Sequence, residues 1–173
     1  MKDTFRLYAE TNPSHLWIED DFRYFNHGTI RFGCFCETHL AEFTKRSGHN
    51  LSKDELVKLI LKPGKADPVR ADWHKFLGDT LAETAGMIAK EVHKVSADIY
   101  VSWMSMNHSI MDISGTDITQ FMNACIDGGQ AGIRLHTTHF KETGYRDMLV
   151  LDEELKKMTH YLPVKTIKCT EIE

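Results

Sequence analysis

The chain has 173 residues, 42% hydrophobic and 27% charged, enough for one ordinary domain with a sizeable core and too apolar for a disordered segment. Its 21 Lys and Arg against 25 Asp and Glu leave a formal charge of -4 with no concentrated basic window, which argues against a phosphate-tracking nucleic-acid surface. No apolar run reaches the roughly 20 residues of a membrane helix, and the opening MKDTFRLYAE lacks a signal peptide's apolar stretch, so a cytoplasmic chain with no membrane partner is expected.

In chain order, HLWIED (15–20) reads as a strand after the breaker pair Asn12-Pro13. ETHLAEFTKRSG places Leu40 and Phe43 on one face and stops at Gly48, a short helix. LSKDELVKLIL opens on Ser52 three residues before Glu55, a capping box, and closes before Pro63. The longest helix is expected from about Pro68 to Val95, where Trp73, Phe76, Leu77, Leu81, Ile88, Val92 and Val95 recur at intervals of three and four. A strand from Asp98 (DIYVSWMSM), a helix from Asp117 to Ile126, a strand AGIRLHTTHF, a helix RDMLVLDEELKKMTHYL and a final strand VKTIKCTEIE complete the chain.

Alternating strands and helices ending on a strand are the sign of parallel βα units in a single α/β domain over residues 1–173. A complete (βα)8 barrel needs about 250 residues and eight strands. A partial, half TIM-like barrel of about four strands is therefore expected, with a small open doubly wound sheet as the alternative. Both architectures place function at the C-terminal ends of the strands. Polar residues gather at those ends: Asp20, Asp21 and Arg23 after the first strand, Asn107 and His108 after the second, His136 and His139 late in the third, Glu171 and Glu173 in the last. No G-x-G-x-x-G or Walker loop is present.

The four cysteines, Cys34, Cys36, Cys125 and Cys169, are unevenly spaced. Cys34 and Cys36 are too close for an easy mutual disulfide, which points to a reducing compartment and to metal or buried thiols. Cys34-x-Cys36-x-x-His39 brings two thiolates and an imidazole into one turn-to-helix connection, all zinc ligands. A closed structural zinc site needs a fourth donor, for which His27, His49 or a residue outside the chain are candidates. The plainer alternative makes both cysteines small buried hydrophobes and His39 a surface residue. Cys125 and Cys169 are expected in the core.

The stretch WIEDDFRYFNHG, followed by GCFCETHLAEF, a long helix and a last strand IKCTEIE, resembles the middle-to-late part of TIM-barrel glycoside hydrolases. The resemblance is to relatives of the β-galactosidase family that carries a cysteine-rich zinc site beside the barrel. In that family a C-x-C-x-x-C cluster follows the fourth strand, which bears the acid/base, and the seventh strand bears the nucleophilic glutamate. On that plan this chain is similar to strands four to seven. Two departures stand out: Glu19-Asp20-Asp21 replaces the family's asparagine-glutamate pair, and His39 replaces the third cysteine.

The resemblance implies a carbohydrate hydrolase using paired carboxylates, with Asp21 as acid/base, Glu173 as nucleophile, and Asp20 and Glu171 as their rivals. Arg23, His27, Trp103, Asn107 and His136 are the candidates for holding sugar, with a place in the barrel core the nearer reading of Trp103, and zinc at Cys34, Cys36 and His39 the structural cofactor. Two other classes compete. Ten histidines suggest a metal-dependent hydrolase built on His27, His136, His139 and Asp21, although no H-E-x-x-H pair occurs. A half-barrel with two exposed sheet edges suggests instead a noncatalytic assembly domain, and in either case a homo-oligomer.

Overall fold

The computed structural model of the chain describes residues 1–24, 33–106, 108–135, 153 and 156–170. Four parallel strands, β1 (His15–Ile18), β2 (Tyr100–Met104), β3 (Gln130–Leu135) and β4 (Thr166–Thr170), form one open sheet in the order β1-β2-β3-β4. That is the order of consecutive barrel strands. It contains no reversal, and hence no switch point of the kind that defines a doubly wound sheet. Right-handed crossovers between neighbours in such an order bring the connecting helices to one face.

The helices with complete bounds are α1 (Lys2–Ala9), α2 (Glu37–Ser47), α3 (Lys53–Ile60), α4 (Pro68–His93), α5 (His108–Ser114) and α6 (Ile118–Ile126). Residues 156–160 are helical as well, inside the helix expected over 146–162. Local chemistry sets the boundaries. Ser52 and Glu55 form the complete capping box that starts α3, and Asp67 accepts from the Val69 N–H before Pro68 opens α4. Gly48, at φ +77°, ends α2 in the left-handed region that glycine enters without strain. Neither α1 nor α5 is among the expected elements. Ala9 is the one buried residue of α1, and the seven residues of α5 are too few to display a period.

Register divides the sheet residues between two faces. Leu16, Val101 and Ala131 lie side by side, as do Ile18, Trp103 and Ile133, and with Leu81, Ile88 and Val92 of α4 and Phe121 and Met122 of α6 they form the main core. The other face carries His15, its ring stacked between Trp17 at 5.6 Å and Tyr100 at 4.7 Å, with Nδ1 2.9 Å from the Ser102 hydroxyl. A second core joins Phe43, Leu56, Ile60, Trp73, Phe76 and Leu77 from α2, α3 and the first half of α4. Arg46 of α2 braces that junction with a bidentate pair to Glu83 of α4 at 2.6 and 2.9 Å. At the far end of α4, the His93 ring nitrogens meet the Asp127 and Ile99 carbonyls at 2.7 and 3.1 Å, tying α4 to the exit of α6 and the entry to β2.

One close approach explains a glycine in the middle of the long helix. A Cβ on Gly78 would lie 2.0 Å from the Gly115 carbonyl oxygen, and one on Gly115 2.1 Å from the His74 carbonyl oxygen. The turn between α5 and α6 is thus seated directly on the α4 backbone. Gly78→Ala should lower stability by about 1–3 kcal/mol through overpacking, whereas the same change in an exposed helix gains about 1 kcal/mol. A urea titration reads the difference as a fall in midpoint, and an unchanged or raised midpoint would mean that the turn does not sit there.

Candidate functional site

Strand β1 ends at Ile18 and the chain turns at once, the Phe22 N–H donating to the Glu19 carbonyl at 3.1 Å. This tight turn collects Glu19, Asp20 and Asp21, whose carboxylate oxygens come within 4.8 Å of one another. Three acids so close repel unless protons or cations intervene. The Asp21 N–H donates to Glu19 Oε2 at 2.7 Å. Arg23, with its side chain only 4% exposed, pairs with Asp21 at 2.5 Å and donates to the Asp20 carbonyl at 3.3 Å. Its role here is to brace the turn. From β3, the Arg134 guanidinium reaches to 3.9 Å of the Asp20 carboxylate. A side-chain hydrogen bond with Asp20 holds the Glu19 carboxyl above its ordinary value, opposed by the bond from the Asp21 backbone.

Arg134 is level with Met104 and Cys169 in the register, so this cluster stands at the C-terminal end of the sheet, where parallel α/β proteins place their chemistry. Of the three acids Asp21 is exposed along with Glu19, while Asp20 is half-buried. The acid/base expected at Asp21 therefore lies in an exposed ion pair, and Asp20 faces the cation from across the sheet.

The second cluster is built on the start of α2. Cys36 is the residue before the helix and His39 sits one turn on, so their side chains meet on one face, with Cys36 Sγ 3.2 Å from His39 Nδ1. Cys34 joins them, one donor atom of each of the three residues lying within 4.8 Å of the others. Cys34, Cys36 and His39 thus form a group able to hold a metal ion. A tetrahedral site with metal–sulfur bonds of about 2.3 Å and metal–nitrogen bonds of about 2.0 Å spaces its donors roughly 3.5–3.8 Å apart, a small adjustment from the observed positions. Backbone N–H groups at the helix start, that of His39 first, hold the exposed Cys36 thiol below its ordinary value, while burial pushes Cys34 up. His49, a candidate fourth donor, is turned away: its Nε2 lies 2.8 Å from Asp72 and its ring stacks on Phe43.

Tyr24 stands between the two clusters. Its hydroxyl is 3.0 Å from His39 Nε2, and its ring meets the imidazole edge-on at 5.4 Å. Burial, with Cys34 and Cys36 nearby, pushes the phenol up to about 12. Sequence pattern does not single out Tyr24, because an aromatic residue after a strand reads as core until its hydroxyl is seen to meet a histidine.

Other expected site residues fall differently. Trp103 is fully buried on the helix-facing side, 4.3 Å from Phe121, and offers no ring face to a sugar. Cys125 is in the core, its thiol pushed up to about 12 by burial, but Cys169 is exposed on the edge strand, since register puts it on the face away from the helices. His27, Asn107, His136, His139, Glu171 and Glu173 lie outside the described residues.

No protein family model, curated protein or solved structure matches the chain. The functional reading therefore rests on these clusters and on the sequence. No helix among the described residues is long and apolar enough to cross a membrane. Limited alkylation with iodoacetamide near neutral pH should label Cys36 first and leave Cys125 untouched in the folded protein, as read by mass spectrometry. Labelling of Cys34 or Cys169 ahead of Cys36 would contradict the helix-start environment described for its thiol.

Proposed function

We propose that this chain is a glycoside hydrolase-like portion of a (βα) barrel, acting on carbohydrate through carboxylates at its strand ends and carrying structural zinc at Cys34, Cys36 and His39. One observation carries the reading: the carboxylates of Glu19, Asp20 and Asp21 crowd together at the C-terminal end of a parallel strand, with the Arg134 guanidinium opposite Asp20. Glycosidases need one carboxyl that keeps a proton near neutral pH and a second that is ionised, and they create the difference by environment. Residues adjacent in one turn cannot flank a glycosidic bond on opposite sides. The partner carboxyl must come from another strand end, and the resemblance assigns that part to Glu173 or its rival Glu171.

Between Asp20 and Asp21 the geometry favours Asp20 as the acting group, since Asp21 is held outward by Arg23. In the longest natural or reconstituted form, tested on a panel of glycoside substrates, Asp20→Asn and Glu173→Gln should each reduce turnover by about 10³-fold or more with folding unchanged. Asp21→Asn should cost far less. Near-parental turnover in both Asp20→Asn and Glu173→Gln rejects the carboxylate assignment.

Two thiols and an imidazole suit zinc better than a hard cation. Its part is to clasp the residues that enter α2 to the first turn of that helix. Elemental analysis should find about one zinc per chain, a chelator should lower the melting temperature, and Cys36→Ser should reproduce that loss without chelator. Absence of metal together with unchanged melting rejects the clasp.

The same reading implies association. Strands β1 and β4 are the edges of the described sheet, and an uncapped edge is a template for pairing. Sedimentation should reveal a homodimer or larger species; a monomer over a wide concentration range opposes this.

A further inference from the structure

Tyr24 is the element of the metal clasp that neither the cysteine spacing nor the resemblance supplies. An imidazole offers two nitrogens but only one unprotonated lone pair when neutral, so which nitrogen takes the metal is decided by what holds the other. His39 presents Nδ1 to Cys36 at 3.2 Å and Nε2 to the Tyr24 hydroxyl at 3.0 Å. A phenolic hydroxyl can donate or accept, and its neighbours settle the direction.

A metal held by the Cys34 and Cys36 thiolates takes the imidazole nitrogen that faces them, which is Nδ1. The proton of the neutral ring is then on Nε2, and the Tyr24 oxygen is placed to accept it. The imidazole is also held in place by rings on two sides, edge-on to Tyr24 at 5.4 Å and to Phe76 at 6.1 Å. A half-turn exchanging the two nitrogens would break the bond to Tyr24 and the approach to Cys36 together.

We infer that Tyr24 is a positioning residue for the clasp, its hydroxyl accepting from His39 Nε2–H and so presenting Nδ1 as the metal-binding atom beside Cys34 and Cys36. This inference rests on the metal reading of that group. Tyr24 is one residue beyond Arg23, which braces the acid turn, so a metal held through His39 also restrains the chain that leaves β1. The clasp and the acid turn are then one mechanical unit joined by the Tyr24–His39 bond.

The test uses the intact chain loaded with zinc. Long-range proton–nitrogen NMR of the His39 ring should show Nε2 protonated and Nδ1 coordinated. Tyr24→Phe, which keeps the ring and removes the hydroxyl, should weaken zinc binding by about 10–100-fold in chelator competition, with the melting temperature of the metal-free protein little changed. A merely structural role for Tyr24 would lower metal-free melting and leave the His39 nitrogens as they are. Coordination through Nε2, or unaltered affinity in Tyr24→Phe, overturns the positioning role while the zinc reading stands. Failure of the parent chain to bind zinc overturns both. The NMR assignment on the parent decides the question even where the variant fails to fold.

Discussion

Helix α4 carries two successive apolar stretches, and the rest of the molecule is arranged to bury both. Trp73, Phe76 and Leu77 near its start close a core with α2 and α3, while Leu81, Ala85, Ile88 and Val92 farther along close another with the sheet and α6. At 26 residues the helix extends about 39 Å at 1.5 Å per residue, more than one small sheet can cover. The second core is therefore a consequence of helix length: without α2 and α3 the first half of α4 would be left in water. Gly78 sits between these two stretches of the helix, where the α5–α6 turn is seated on its backbone.

This division determines where polar groups can stand. The helix-facing side of the sheet is filled by Val101, Trp103 and Ile133, leaving no space for a ligand, so chemistry is confined to the strand ends and the opposite face. At β1 the polypeptide passes from the sheet toward the second core within a few residues. Tyr24 packs against both cores, and the acid turn and the cysteine group lie on either side of it.

The two clusters are electrostatically unlike. In the acid turn, charge is moderated from inside by Arg23 and Arg134. In the cysteine group, the amides opening α2 favour negative charge on Cys36, a polarity that suits binding of a cation. Strand end and helix start thus impose opposite requirements on neighbouring stretches of chain. The hydrogen bond between the Tyr24 hydroxyl and His39 links the segment after β1 to the histidine of the clasp.

Period and punctuation in the amino-acid sequence determined the parallel α/β class, the four strands, and the limits of α2, α3, α4 and α6, because capping boxes, Pro68 and Gly48 act over a few residues. They also disclosed Cys34, Cys36 and His39, whose relation is local to one helical turn, and the crowding of acids after β1. Strand alternation could not say which of Glu19, Asp20 and Asp21 faces Arg134, because the strand ends before them and a turn reorients each carboxylate. Nor could it place Cys169 at the surface, since a cysteine is at home on both faces of a strand. Those assignments, together with Tyr24 and Gly78, depended on which distant backbone or side chain arrives opposite, and only the packing of α4 against the sheet and the α5–α6 turn decides that.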